Sequence, residues 1–454
     1  MAKLLNFQHV LSEINFLSPR EEFSLYYQSF LDSELGGIHQ SIPWPELIKS
    51  FRLKKEKKGR KSQFCPKGQL ALMFLKSYTG VSDHKLIEQL NANIDYQLFC
   101  DILLSPGERL VDYKIVSKIR SSLGQKLNIK QSQKVLARHW KPYLKDTNVV
   151  LTDATCYESQ LRYPTNVKLL WESVDWVYNQ MKRTCKALKV RMPRSKYLEQ
   201  KDKYFAYQRK RKKPWKQTTV RIRSLLYLLN KLNKQLDEIE QTYADRLTLP
   251  QKYYEKRKVI RKVYQQQLQI HQTGKSLPDR IVSISKSYIR PIVRGKETKK
   301  VEFGAKVNMI QVDGINFIEH LSFDPFHEGI RLMSSIWLSE ELFGNTTHVS
   351  ADQIYATNKN RRYCTKRAIT TSFTRKGRAG KHEPHRKQMS KILTKERASR
   401  MEGSFGTEKE HYSLQKIKAK TKENEVLWIF FGVHTANAVR MSKKMKQLQV
   451  SQSA

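Results

Sequence analysis

Val149-Val150-Leu151-Thr152-Asp153-Ala154-Thr155 is a short apolar run that ends on an acid. Branched residues at this density favour a buried strand. His348-Val349-Ser350-Ala351-Asp352-Gln353-Ile354-Tyr355 has the same design, so Asp153 and Asp352 are both expected at strand ends. A third acid, Glu402, lies in Arg400-Met401-Glu402-Gly403-Ser404-Phe405-Gly406, which reads as helical. Two aspartates on adjacent strands plus one helical glutamate can hold two Mg²⁺ (or Mn²⁺) ions, because such ions take hard oxygen ligands and need few carboxylates. Rivals remain open. Asp324 and Glu328 compete for the second position, and Glu408 and Glu410 for the third.

Charge narrows the partner. Lys+Arg number 85 against 42 Asp+Glu, a formal net charge of +43. That is the footprint of a polyanion binder, and nucleic acid is the expected partner. The 39% hydrophobic content is more than a simple charge-packing protein needs. No apolar run of about 20 residues exists to span a bilayer. No charged-then-apolar leader pattern opens the sequence, so a cytoplasmic, nucleoid-associated location is expected. Five widely spaced cysteines without a CxxC pair argue against zinc or a disulfide framework. Cys156 lies near Asp153, but no base is placed beside it for nucleophilic work.

The rest of the chain divides by pattern. A basic run at 52–61 precedes Leu70-Ala71-Leu72-Met73-Phe74-Leu75, a helical run stopped by Gly80. Ser82 and Asp83 cap the next helix, which carries Leu86, Ile87 and Leu90. Tyr113, Val116 and Ile119 mark another before Gly124. This all-α module over 1–140 fits both a helix-turn-helix DNA reader and a plain bundle. No glycine occurs between Gly124 and Gly274, which predicts mostly helix. Leu225, Leu229, Leu232 and Leu236 define one long amphipathic helix, and Tyr253, Ile260, Val263 and Leu268 its antiparallel partner.

That helical insertion, 165–285, carries Arg209, Lys210, Arg211, Lys212 and Lys213 next to Trp215. Consecutive cations beside an indole suit phosphate contacts. From 301 the period becomes two, with Val301, Phe303, Ala305, Val307 and Met309. Asp313-Gly314 then turns a hairpin into Ile315 and Phe317. A helix is expected from 329 to 342, and a loop over 376–390 containing His382 and His385. A last core helix spans 425–441.

Strand–Asp, hairpin, strand–Asp, helix–Glu is the order expected of an RNase H-like core. The fold class is therefore α/β: an RNase H-like catalytic core over 141–164 and 286–445, the helical insertion, the N-terminal all-α module, and a tail from 446.

The chain also resembles bacterial insertion-sequence transposases of the DDE class, in the group named after insertion sequence five and closest to its eleven-eighty-two subgroup. Leu151-Thr152-Asp153-Ala154-Thr155 matches the first aspartate. Phe303-Gly304-Ala305-Lys306, Ser322-Phe323-Asp324 and His327-Glu328-Gly329 match the central hairpin and following turn. Ala351-Asp352-Gln353-Ile354-Tyr355 with Asn358 and Arg361 matches the second aspartate. Met401-Glu402-Gly403-Ser404-Phe405-Gly406 with Lys409 matches the glutamate signature. The resemblance departs at Ala398, where the family carries an arginine four residues before the glutamate. Arg397 and Arg400 flank it and can take over its phosphate-facing role.

The resemblance implies a metal-dependent transposase. It would bind the inverted-repeat ends of double-stranded DNA, free 3′-OH ends and join them to a target. Asp153, Asp352 and Glu402 would bind metal, Lys409 would steer DNA ends, and a homodimer would form on DNA. An inactive remnant that only binds DNA, or a nuclease of the same core without strand transfer, are the alternatives.

Overall fold

The computed structural model describes residues 19–54, 62–105, 107–293, 301–380 and 382–453. The basic run at 52–61 lies mostly outside them. Among the described residues, seven strands form one mixed sheet: β1 (Val149–Ser159), β2 (Pro291–Val293), β3 (Val301–Val312), β4 (Ile315–Ser322), β5 (His348–Ala351), β6 (Thr370–Thr371) and β7 (Lys416–Ile417). β1 is central. β3 runs antiparallel on one side and β5 parallel on the other. β4 and β2 pair with β3, β6 with β5, and β7 with the far end of β1.

β1 is longer than its apolar run, and Asp153 is within the strand rather than at its end. The parallel ladder with β5 closes at Thr152↔Ala351. The antiparallel ladder with β3 continues to Glu158↔Gly304. Gly304 permits that continuation, since a Cβ there would lie 2.0 Å from the Tyr157 carbonyl oxygen. The β3–β4 turn is the expected Asp-Gly pair, with φ of 46° at Asp313 and 83° at Gly314. Asp313 Oδ2 accepts from the Lys145 amide at 3.0 Å and from Lys444 Nζ at 2.6 Å.

Alternation along β1 assigns its two faces. Val150 belongs to the core shared with the N-terminal helices and the helix Leu332–Phe343. Leu151 belongs to the opposite core, with Met401, Phe405 and Ile429. Thr152 follows Val150, and its hydroxyl meets Ser335 at 3.1 Å. Asp153 follows Leu151, toward the helix that carries Glu402.

The N-terminal helices share their core with the sheet. Phe74 packs edge-on against Phe431 of the last helix, with centroids 4.9 Å apart. Gly124 does not stop its helix, which runs Lys114–Lys126. A Cβ there would meet Asn424 Oδ1 at 2.9 Å, so glycine lets the last helix approach. The insertion is helical as expected, with Asn166–Leu188, Tyr197–Arg209, Trp215–Thr242 and Gln251–Thr273 around a core of their own. Trp171 stacks on Tyr204 at 4.8 Å within it.

Two expectations fail locally. The segment 376–390 is not all loop: a helix runs Glu383–Arg397, begun by Pro384 in its first turn and braced where Arg386 and Arg375 grip Glu383. The tail is helical too, because the last helix runs Lys422–Ser453. Asn437 on that helix holds the start of β4, accepting from the Asn316 amide at 3.0 Å and donating to the Asn316 carbonyl at 2.6 Å.

Two buried histidines stay neutral in this fold. Burial pushes His434, packed 4.4 Å from the Phe430 ring, down to about 3. Burial, aided by Lys67, pushes His39 to about 4. Below the ordinary value of 6.5 the unfolded chain takes up protons that the fold excludes. Stability is therefore present above pH 6.5 and lost as pH falls toward 4, by on the order of 2 kcal/mol per histidine at pH 5. The urea midpoint should fall between pH 7 and pH 5, and less steeply in His434→Gln.

Candidate active site

Because Thr152 faces Ala351 across the parallel pair, the next residues, Asp153 within β1 and Asp352 just past the end of β5, lie side by side. They share the face of Leu151 and Ser350, and Ser350 Oγ donates to the Leu393 carbonyl at 2.7 Å. That bond docks the helix Glu383–Arg397 on this face. A π-helical turn, Ala398–Glu402, continues it and packs against β1, and the helix Gly403–His411 follows.

Asp153 is mostly enclosed, its side chain 17% exposed. Oδ2 accepts from Arg397 Nη1 at 2.6 Å, and Oδ1 accepts from the Ala154 amide at 2.8 Å. Burial raises its proton affinity, Arg397 opposes that, and the charges of Glu328 and Asp352 add to the rise. Asp352 is exposed and caps the short turn Gln353–Tyr355, accepting from the Gln353 amide at 2.6 Å. Glu402 is exposed at the end of the π-helical turn.

The expected convergence is thus incomplete. Among the described residues, no three His, Cys, Asp or Glu side chains are grouped as metal ligands. The physical reason lies in two competing partners: the Arg397 guanidinium sits on Asp153, and Asp352 is turned onto its own backbone. The donor set still suits a hard divalent cation. Its ligands are carboxylate oxygens, and the buried one faces two further negative charges, which favours added positive charge.

The rivals separate clearly. Glu408 is fully buried, bonded by the Tyr157 hydroxyl and by Asn316 Nδ2 at 2.5 Å, and serves the core. Glu410 is exposed. Asp324 is 74% exposed and meets only Arg290 at 3.8 Å among described ion pairs. Glu328 lies close enough to Asp153 to act on its charge, and its carboxylate binds Lys306 Nζ at 2.8 Å. Sequence spacing undervalued it. The signal available was glycine: a Cβ on Gly329 would meet the Ile354 carbonyl oxygen at 2.6 Å, so the Glu328 turn is pressed on the turn after Asp352. Asn360 Nδ2 fastens both, donating to Gly329 O at 2.6 Å and Tyr355 O at 2.8 Å.

Of the cations expected here, Arg397 reaches an acid of the site. Arg400 turns outward to Glu396 at 2.6 Å. Lys409 lies on the helix after Glu402, its ammonium 5.9 Å from the Tyr157 ring centroid. Arg209 ends its helix in the insertion. Lys210, Arg211, Lys212 and Lys213 follow it, exposed, and Trp215 is 77% exposed. Lys213 Nζ lies 5.8 Å from the Tyr207 ring. Cys156 is buried.

A family model described as "Transposase DDE domain" matches residues 349–434, and one described as "Transposase domain (DUF772)" matches residues 24–122. The first span contains Asp352, Arg397, Glu402 and Lys409. Asp153 and the insertion lie in neither. No curated protein and no solved structure matches the chain.

Arg397→Ala leaves Asp153 enclosed without its cation. Loss of a largely buried pair should lower stability by about 1–3 kcal/mol, with Arg397→Lys intermediate. The shift in urea midpoint at neutral pH measures it.

Proposed function

We propose that the chain is a DDE-type insertion-sequence transposase, a reading the two family-model matches support, and that it binds the inverted-repeat ends of an element of the insertion sequence five group, cuts them and joins the 3′-OH ends to target DNA. The observation that carries this is the side-by-side placement of Asp153 and Asp352, with Glu402 on a turn packed against the same strand. The strand order β4-β3-β1-β5-β6, antiparallel up to β1 and parallel beyond it, supports an RNase H-like core.

Asp153, Asp352 and Glu402 would hold Mg²⁺ or Mn²⁺. The bound metal supplies charge neutralisation at the phosphodiester and activation of the attacking hydroxyl. The chain's own contribution is rigidity and charge. A strand packed on both faces fixes Asp153, and the turn cap fixes Asp352. Arg397 neutralises Asp153 until a cation competes for it. Lys409, and Arg400 once released from Glu396, would contact the strand being cut, and residues 209–213 with Trp215 would grip backbone from the insertion. Two element ends brought together favour a homodimer on DNA.

One observation favours a second reading, a DNA-holding remnant without cleavage: Ala398 stands where the family has arginine, and Arg397 is engaged by Asp153.

Asp153→Asn decides between them. It should abolish Mg²⁺-dependent nicking of element-end DNA while leaving binding nearly intact. Retained nicking by the pure variant sinks the active-site assignment, and a wild-type chain that binds without nicking supports the remnant. A labelled-end joining assay separates strand transfer from hydrolysis alone.

Replacing Arg209, Lys210, Arg211, Lys212 and Lys213 by glutamine should weaken binding uniformly across sequences. The slope of log affinity against log salt should shrink by about 0.9 per lost phosphate contact. A salt titration of binding to matched and mismatched duplexes reads both.

A further inference from the structure

A cleft of about 960 Å³ opens where the N-terminal helices meet the segment following Glu402. One wall is the end of the helix Pro66–Thr79 and the start of Asp83–Ala92; the other runs from Lys409 through Lys418. It joins the two regions matched as transposase domains.

Its lining carries five cations, Lys76, Arg120, Lys409, Lys416 and Lys418, against two acids, Asp83 and Glu410. At its base Asp83 binds Arg120 at 2.6 Å and Lys76 at 3.4 Å, and both cations are nearly enclosed. They lie over the Trp428 ring, Arg120 at 4.9 Å and Lys76 at 5.5 Å. Trp428 is itself pinned, donating from Nε1 to the Ser413 carbonyl at 3.1 Å. One carboxylate therefore serves two cations, and Lys418 is near enough to oppose the charge on Lys76. The lip adds more. Lys416 and Lys418 are exposed while Ile417 between them is buried, and the alternation continues to buried Ala419 and exposed Lys420. The alternation of exposure that starts in the two-residue strand β7 and runs on past it thus sets lysines in a row on the outward side. β7 is held there by pairing with β1 at Glu158↔Lys416, the same strand that carries Asp153. Lys409 lines the cleft seven residues after Glu402.

We propose that this cleft is a track for the DNA phosphate backbone, with Lys416 and Lys418 as the contacts that lead a strand from the N-terminal helices toward Glu402. The proposal rests on the transposase reading and deepens it. A row of fixed cations beside an enclosed, cation-rich floor attracts a linear polyanion. The floor cations Arg120 and Lys76 are already engaged by Asp83 and Trp428, so the track positions DNA through its outer lysines and carries no sequence preference.

The test uses the full chain, a labelled duplex of arbitrary sequence and a salt series without divalent metal. Lys416→Ala/Lys418→Ala should weaken binding and reduce the salt slope by about 1–2, since each lost phosphate contact removes about 0.9. Lys416→Arg/Lys418→Arg should keep the slope. Lys252→Ala/Lys258→Ala removes the same charge from exposed positions of the insertion and should have a smaller effect. An unchanged slope in the first variant overturns the track, as does an equal loss from the insertion pair. Failure of the parent reading looks different. If Asp153→Asn still nicks DNA while the lysine pair loses slope, the active-site assignment falls and the track stands. If Asp153→Asn is dead and the lysine pair is unchanged, the reverse holds.

Discussion

The parallel pairing of β1 with β5 is the constraint on which the site depends. Asp153 and Asp352 are separated by most of the chain's core, and only the register Thr152↔Ala351 makes them neighbours. A slip of one residue would send one aspartate to the opposite face, among Thr152, Ser335 and the helix Leu332–Phe343. Burial guards against it. Val150 and Val349 fill one core while Leu151 fills the other, so a slipped strand would place Asp153 in apolar surroundings. The precision of the acid pair is thus set by residues that take no part in chemistry.

The third acid depends on helix phase. In an α-helix, residues four apart share a face, whereas in a π-helical turn five residues complete the circuit. The turn Ala398–Glu402 is π-helical, so Arg397, five residues before Glu402, takes the neighbouring place that a residue four before it would hold in a regular helix. The π-helical turn brings Arg397 to Asp153 at 2.6 Å.

What the sequence made legible was whatever local pattern encodes. The Asp313-Gly314 turn, the period-two run of β3 and the glycine-free helical insertion follow from backbone preference and burial. Asp153 and Asp352 were legible because each closes an apolar run. The parts that stayed hidden are long-range. Nothing near Asp153 announces Arg397, 244 positions away, and nothing near Lys306 announces Glu328. Gly124 and Gly329 read as helix stop and turn, but their backbone exists to admit Glu423 and Ile354 from elsewhere in the chain. Pro384 read as a loop signal and is a helix start. Its meaning depends on Glu383 gathering Arg375 and Arg386.

The distribution of charge completes the physical picture. Enclosed cations are held by carboxylates: Arg257 by Asp237 and Glu240, Lys286 by Glu425, Lys306 by Glu328, and Arg120 and Lys76 together by Asp83. These matches consume acids in the interior, so the surplus behind a net charge of +43 is carried outside. Such a surface repels itself and strains the compact state. A polyanion bound across it relieves that repulsion and, by binding the folded form alone, stabilises it by mass action. The helical insertion has its own core and the sheet has two others. Each can therefore bear a basic face without relying on the other's packing.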